Sequence, residues 1–157
     1  MKAATINEIK QELNATAPVK LLDLCIRLAK YKKENKELLS YLLFEADDEA
    51  AYIATVKIEI DQQFTEINQS NLYFVKKSLR KILRTTAKYI RQTGSRQVEV
   101  ELLLYFCNVL INSDIPFRRN TVLTNLYQYQ LKKIAKVIST LHEDLQYDYL
   151  KEFRKLE

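Results

Sequence analysis

One glycine, two prolines and one histidine are all this 157-residue chain holds of three residue types on which much site chemistry depends. Phosphate-cradling loops of the dinucleotide or Walker type need two or three glycines, so both are excluded. With His142 as the lone histidine, a multi-histidine metal site cannot form. Cysteine is scarce too: Cys25 and Cys107 stand 82 positions apart inside apolar stretches, in no metal-ligand spacing. They read as buried free thiols in a reducing compartment, because an unpaired cysteine packs as a small hydrophobe. Long apolar runs are missing as well. The longest, Leu102–Cys107, continues past Asn108 only to Ile111, about half of the ~20 residues a membrane span requires. Residues 1–14 lack the apolar segment of a secretory signal. These absences point to a cytoplasmic protein with no membrane partner.

What is present is a core. Hydrophobic residues make up 47% of the chain, too many for a disordered segment. Surface scaling lets a chain of 18.5 kDa bury roughly 69% of its unfolded surface, leaving about 8,200 Å² exposed. One α-helical domain over residues 1–157 is expected.

Helix signals recur along the whole length. Thr5 and Glu8 form a capping box ahead of Ile6, Ile9 and Leu13. Pro18 suits the first position of a second helix, whose Leu21, Leu22, Leu24, Cys25, Ile26 and Leu28 are apolar nearly all round, the pattern of a central helix. Asn35 is placed to cap a third helix and Asp47 or Asp48 a fourth running to about Ile67. Ser70 can cap a fifth that ends at Thr93, with Gly94 free to take the left-handed conformation. A sixth spans about Gln97 to Asn112, and a seventh starts at Asn120 or Thr121 beyond Pro116. Thr140 with Glu143 forms a second capping box for an eighth helix over 141–156. Val98, Val100 and Leu102 alternate with Glu99 and Glu101 like a strand, but the run to Ile111 is too long for one, and helix is the reading there. Leu24, Cys25, Leu28, Leu39, Leu42, Leu103, Phe106 and Cys107 are the expected core.

Two fragments repeat in order. Ala29-Lys30-Tyr31 recurs as Ala87-Lys88-Tyr89, and Glu37-Leu38-Leu39-x-Tyr41 as Glu101-Leu102-Leu103-x-Tyr105. They suggest an internal duplication of residues 18–67 and 70–138. Eight helices in such halves resemble a short HEAT- or armadillo-type stack, by helix number and spacing only. The resemblance implies a stacked helical array, or else an irregular helical bundle, and assigns no residue a role.

Charge is unevenly distributed. Residues 68–136 hold 13 basic and 3 acidic side chains, whereas residues 1–67 hold 9 and 12. No Asp or Glu occurs between Asn68 and Val98. Along the fifth helix Lys77, Lys81, Arg84, Lys88 and Arg91 step by three or four and stack into one stripe, with Lys76 and Arg80 alongside. Like charges at that spacing repel, so an acidic neighbour is expected. An antiparallel hairpin with the fourth helix would bring Asp61 to Lys77 and Glu59 to Arg80. Lys81, Arg84 and Lys88 would stay bare, a candidate contact for phosphates or an acidic protein. Lys132, Lys133, Lys136, Arg118 and Arg119 would widen the patch if they fold to the same side.

Catalytic and metal patterns were sought among the remaining residues. Glu45-Ala46-Asp47-Asp48-Glu49 has the composition of a Mg²⁺ site but sits where a helix cap belongs. A di-iron Glu-x-x-His motif would need Glu at position 139, where Ser139 stands. No glycine elbow surrounds any serine, and neither cysteine lies at a helix N-terminus that would lower its pKa. No enzyme activity, cofactor or metal is expected. Ten tyrosines, four of them (Tyr127, Tyr129, Tyr147, Tyr149) near the C-terminus, suit core edges more than a binding face. The function expected is non-catalytic: a helical interaction or scaffold protein that binds a protein partner or itself. The alternative is a nucleic-acid-binding protein that contacts the phosphate backbone through the basic helix 76–91.

Overall fold

The computed structural model describes residues 2–157 and is all-α, with no strand among them. Its helices are α1 (Ile6–Asn14), α2 (Pro18–Tyr31), α3 (Lys33–Phe44), α4 (Glu49–Thr65), α5 (Leu72–Thr93), α6 (Arg96–Ile111), α7 (Thr121–Ile138) and α8 (Glu143–Arg154). A single 3₁₀ turn, Phe117–Arg119, lies between α6 and α7. The chain divides into two compact units, Met1–Phe44 and Glu45–Glu157. The boundary falls inside the first of the two halves suggested by the repeated fragments.

In the first unit α2 and α3 pack as a hairpin. The capping box that opens α1 is formed: the Thr5 hydroxyl accepts from the Glu8 N–H at 3.3 Å while the Glu8 carboxylate accepts from the Thr5 N–H at 2.6 Å. The Thr5 N–H foremost, and then the Thr5 hydroxyl donating to the same carboxylate at 2.8 Å, hold the Glu8 carboxyl below its ordinary value. Asn35 does not cap α3, which starts two residues earlier. Its amide instead donates to the Leu28 carbonyl at 2.8 Å, satisfying an open acceptor near the C-terminal end of α2.

The expectation that α2 is central is overturned. None of its residues is buried, and among the described residues of this unit only Tyr41 is. Leu28 and Leu42 are 60% and 56% exposed, and Cys25 is exposed. Leu24 and Leu39 are half-buried. A helix that is apolar all round needs neighbours on every side. Within its unit α2 has α3, and the rest of its apolar surface stays open.

The second unit is built around α6, which packs against α4, α5, α7 and α8. Val98, Val100, Leu102, Leu103, Phe106, Cys107 and Leu110 are all essentially inaccessible, so the strand-like alternation at its start is a fully wrapped helix. The Phe106 ring meets Phe64 of α4 at 5.5 Å between centroids. Burial pushes the Cys107 thiol up to about 12. Tyr127 of α7 donates its hydroxyl to the Leu156 carbonyl at 2.7 Å, tying the chain end beyond α8 to the core.

Most caps sit where short polar side chains invite them. Asp48 opens α4 and Asn120 opens α7, each accepting a backbone N–H three residues on. Gly94 ends α5 at φ 64°, a backbone conformation that costs glycine nothing. Asn71, one residue beyond the expected Ser70, caps α5. The second capping box does not form: Thr140 donates to the Val137 carbonyl, and His142 opens α8 with Nδ1 accepting from the Asp144 N–H at 3.3 Å. Thr140 completes the end of α7, which leaves the next helix to begin two residues later. Among the described residues no helix is long and apolar enough to cross a membrane.

Candidate binding surfaces

Helix α5 has two unlike faces. Val75, Leu79, Ile82, Thr86 and Ile90 recur at helical spacing and are buried. Diametrically opposite lie Lys77, Lys81, Arg84, Lys88 and Arg91, so the stripe expected from the sequence exists as one continuous face. Lys77, Arg80, Lys81, Arg84 and Arg91 are exposed. Lys88 is half-buried, its ammonium 5.0 Å from the centre of the Tyr89 ring. Among the described residues, no carboxylate lies within ion-pair distance of Lys77, Arg80, Lys81, Arg84 or Arg91.

Asp61 and Glu59 of α4 do not pair with Lys77 and Arg80, contrary to the hairpin register drawn from the sequence. Asp61 accepts the Tyr105 hydroxyl of α6 at 2.6 Å, and Glu59 accepts Tyr89 of α5 and Gln63. Glu59 thus meets α5 more than two turns beyond Arg80. The reason is steric. The apolar face of α5 is the one that packs on α4 and α6, and the stripe points the other way.

Asp61 belongs to a tyrosine network along α4, α6 and α8. Lys57 pairs with Glu101 at 3.2 Å, Glu101 also accepts Tyr149 at 2.9 Å, and the Lys57 ammonium lies 5.2 Å from the Tyr105 ring centre. Burial, with the carboxylate contacts second, raises Tyr105 and Tyr149 to about 12. Beside it opens a hollow of about 190 Å³ lined in part by Lys57, Glu101, Tyr105 and Tyr149. Each of these four polar groups has a partner within the network.

The acidic run before α4 is used structurally: Asp48 caps the helix and Glu49 accepts the Ser95 hydroxyl at 3.4 Å. No three Asp, Glu, His or Cys groups gather closely enough to hold a metal ion among the described residues. His142 is an exposed helix cap beside Asp144.

A different kind of surface lies on the first unit. Cys25, Leu28 and Ala29 of α2 and Leu38, Leu39 and Leu42 of α3 line an apolar groove of about 230 Å³. Elsewhere on these helices Val19, Leu22, Tyr31, Leu43 and Phe44 are exposed too, Phe44 at 82%.

The remaining cations of α7 gather apart from the stripe. Lys132, Lys133 and Lys136 line a cleft with Arg96 and Glu99 of α6. Arg118 stays in the 3₁₀ turn over the Phe117 ring, 5.5 Å from its centre. No known protein family, curated protein or solved structure matches the chain.

Sequence reasoning missed one feature of these surfaces: Glu99 is buried with Arg96 and Lys133 as partners. The signal for Glu99 was its place in an otherwise apolar helix, where an acid must find a cation or be expelled.

Proposed function

We propose that this protein is a non-catalytic helical interaction module whose residues 2–44 dock on a protein partner or on a second copy of the chain. The observation that supports this reading is the imbalance of the first unit. Twelve large hydrophobic side chains from Ile6 to Phe44 are exposed, and one, Tyr41, is buried. Exposed apolar surface of that extent is uncommon on a monomer and common where another surface covers it. The groove between α2 and α3, with Leu28 and Leu42 on its walls, suits an amphipathic helix laid along it.

The first test is molecular mass by light scattering over a range of concentrations. Self-docking gives a mass above 18.5 kDa that rises with concentration and returns to the monomer in Leu28→Lys/Leu42→Lys. A mass fixed at the monomer value in both proteins removes self-association as the mode.

One observation favours a second reading, contact with a nucleic-acid backbone. The exposed face of α5 carries Lys77, Arg80, Lys81, Arg84 and Arg91 without an acidic neighbour within ion-pair distance. Such a face gives phosphate affinity without base readout. Titration of duplex DNA and RNA at several salt concentrations tests it. Lys81→Glu/Arg84→Glu should abolish binding and flatten the salt dependence, and absence of wild-type binding at low salt refutes it.

A further inference from the structure

The lysines of α7 form a site of their own. Tyr129, Lys132, Lys133 and Lys136 lie on one side of that helix and face Arg96 and Glu99 in the first turn of α6 across a cleft of about 490 Å³. Glu99 is 7% exposed, and each of its oxygens holds one cation: Arg96 Nη1 at 3.0 Å and Lys133 Nζ at 3.3 Å. The buried carboxylate thereby fixes two cationic walls. It does not neutralise the cleft, because four cations face one acid. The Arg96 side chain stays 66% exposed with other guanidinium donors to offer. Lys132 and Lys136 are exposed, stand four residues apart on one helix face and have no ion-pair partner among the described residues. Like charges so placed repel until an anion enters between them. At the side of the cleft Tyr129 presents a ring that is 67% exposed. The volume exceeds what an inorganic anion fills and lies in the range of small-ligand sites.

We propose that the cleft between the first turn of α6 and the lysine face of α7 binds a nucleotide, its phosphates on Arg96, Lys132 and Lys136 and its base stacked on Tyr129. Each part follows from the chemistry present: ammonium and guanidinium groups hold phosphate oxygens, and an exposed tyrosine ring stacks any base. The site binds without reacting, because its one carboxylate is committed to two cations. The inference is independent of the apolar groove and of the α5 stripe. The nucleotide is either free or a unit of a single strand, and both sources share this chemistry.

The test is fluorescence anisotropy of the full chain at about 50 mM salt, with a fluorescent ADP and a labelled oligothymidylate octamer as probes. Wild type should bind, Lys132→Glu/Lys136→Glu should weaken binding about tenfold or more, and Tyr129→Ala should weaken it by about five- to twentyfold. Lys81→Glu/Arg84→Glu on α5 should bind the fluorescent ADP as wild type, which separates this site from the stripe. Equal affinity for the two probes supports a free nucleotide, and an octamer about tenfold tighter supports a strand. Wild type that binds neither probe, or a Lys132→Glu/Lys136→Glu protein that binds like wild type, overturns the proposal. So does inorganic pyrophosphate that competes as well as unlabelled ADP. Amide shift mapping of the wild type with ADP needs no variant: shifts should centre on Arg96, Tyr129, Lys132 and Lys136, and shifts centred elsewhere contradict the site.

Discussion

Replacing Phe106 by alanine removes the ring at the centre of the second unit. That ring is inaccessible to solvent and packs against Phe64 at 5.5 Å. Core Phe→Ala changes cost ~3–5 kcal/mol, and an aromatic pair adds ~0.5–1.5 kcal/mol to simple burial, so about 4 kcal/mol is expected. In urea, with a slope of about 1.5 kcal/mol per molar, the midpoint should fall by ~2–3 M. Leu28→Ala is the matched contrast. Leu28 is as apolar as any residue of the core in sequence, yet it is 60% exposed. Its truncation forfeits less than half of a full burial term, about 1 kcal/mol or less. Circular dichroism through a urea titration at low protein concentration measures both. A Phe106→Ala cost below about 1 kcal/mol, or a Leu28→Ala cost equal to it, refutes the assignment of α6 as centre and α2 as surface.

The two thiols should separate in the same way: Cys25 reacts with a disulfide reagent in the native protein, while Cys107, buried and raised to about 12, reacts only on unfolding. Equal native rates would contradict the placement. Alkaline pH should destabilise the fold. Tyr105, Tyr127 and Tyr149 are held at about 12 when folded, chiefly by burial, against about 10 in the unfolded chain. Their contribution is complete below pH ~10 and is lost as pH rises toward ~12, because the unfolded state releases protons first; the Cys107 thiol adds loss from pH ~9. Thermal unfolding at stepped pH, with tyrosinate absorbance alongside, checks this, and stability that is flat from pH ~9 to ~12 would contradict it. Lys81→Glu/Arg84→Glu should change stability by less than ~0.5 kcal/mol, since both side chains are exposed and relief of repulsion offsets any lost packing. A larger loss would mean that the stripe is built into the fold.

Helices were legible because periodicity, caps and a single glycine all point the same way. Thr5, Asp48, Asn120 and Gly94 do at their helix ends what short polar residues and glycine do locally. Burial was legible only where local pattern and tertiary surroundings agree. Leu103, Phe106 and Cys107 lie in a helix that four others surround, whereas Leu28 and Leu42 lie in equally apolar helices that pack mainly on each other. No one-dimensional pattern distinguishes an apolar helix that has found its neighbours from one that has not. The α5 stripe was visible as spacing, but its pairing was not, because the register of α4 against α5 depends on how Tyr52, Tyr89 and Gln92 fit between them. The cleft under the α7 lysines needed the position of Glu99, a long-range fact that joins residues 34 positions apart.

Site-specific photo-crosslinking in the producing cell tests most directly whether residues 2–44 are a docking unit. A photoreactive phenylalanine analogue placed at Leu28 or Leu42 should yield a discrete adduct, either a dimer of this chain or a single heterologous protein. The same analogue at exposed Asp144 of the second unit should not. Adducts to water alone at both groove positions, or the same diffuse ladder at all three, would contradict the account.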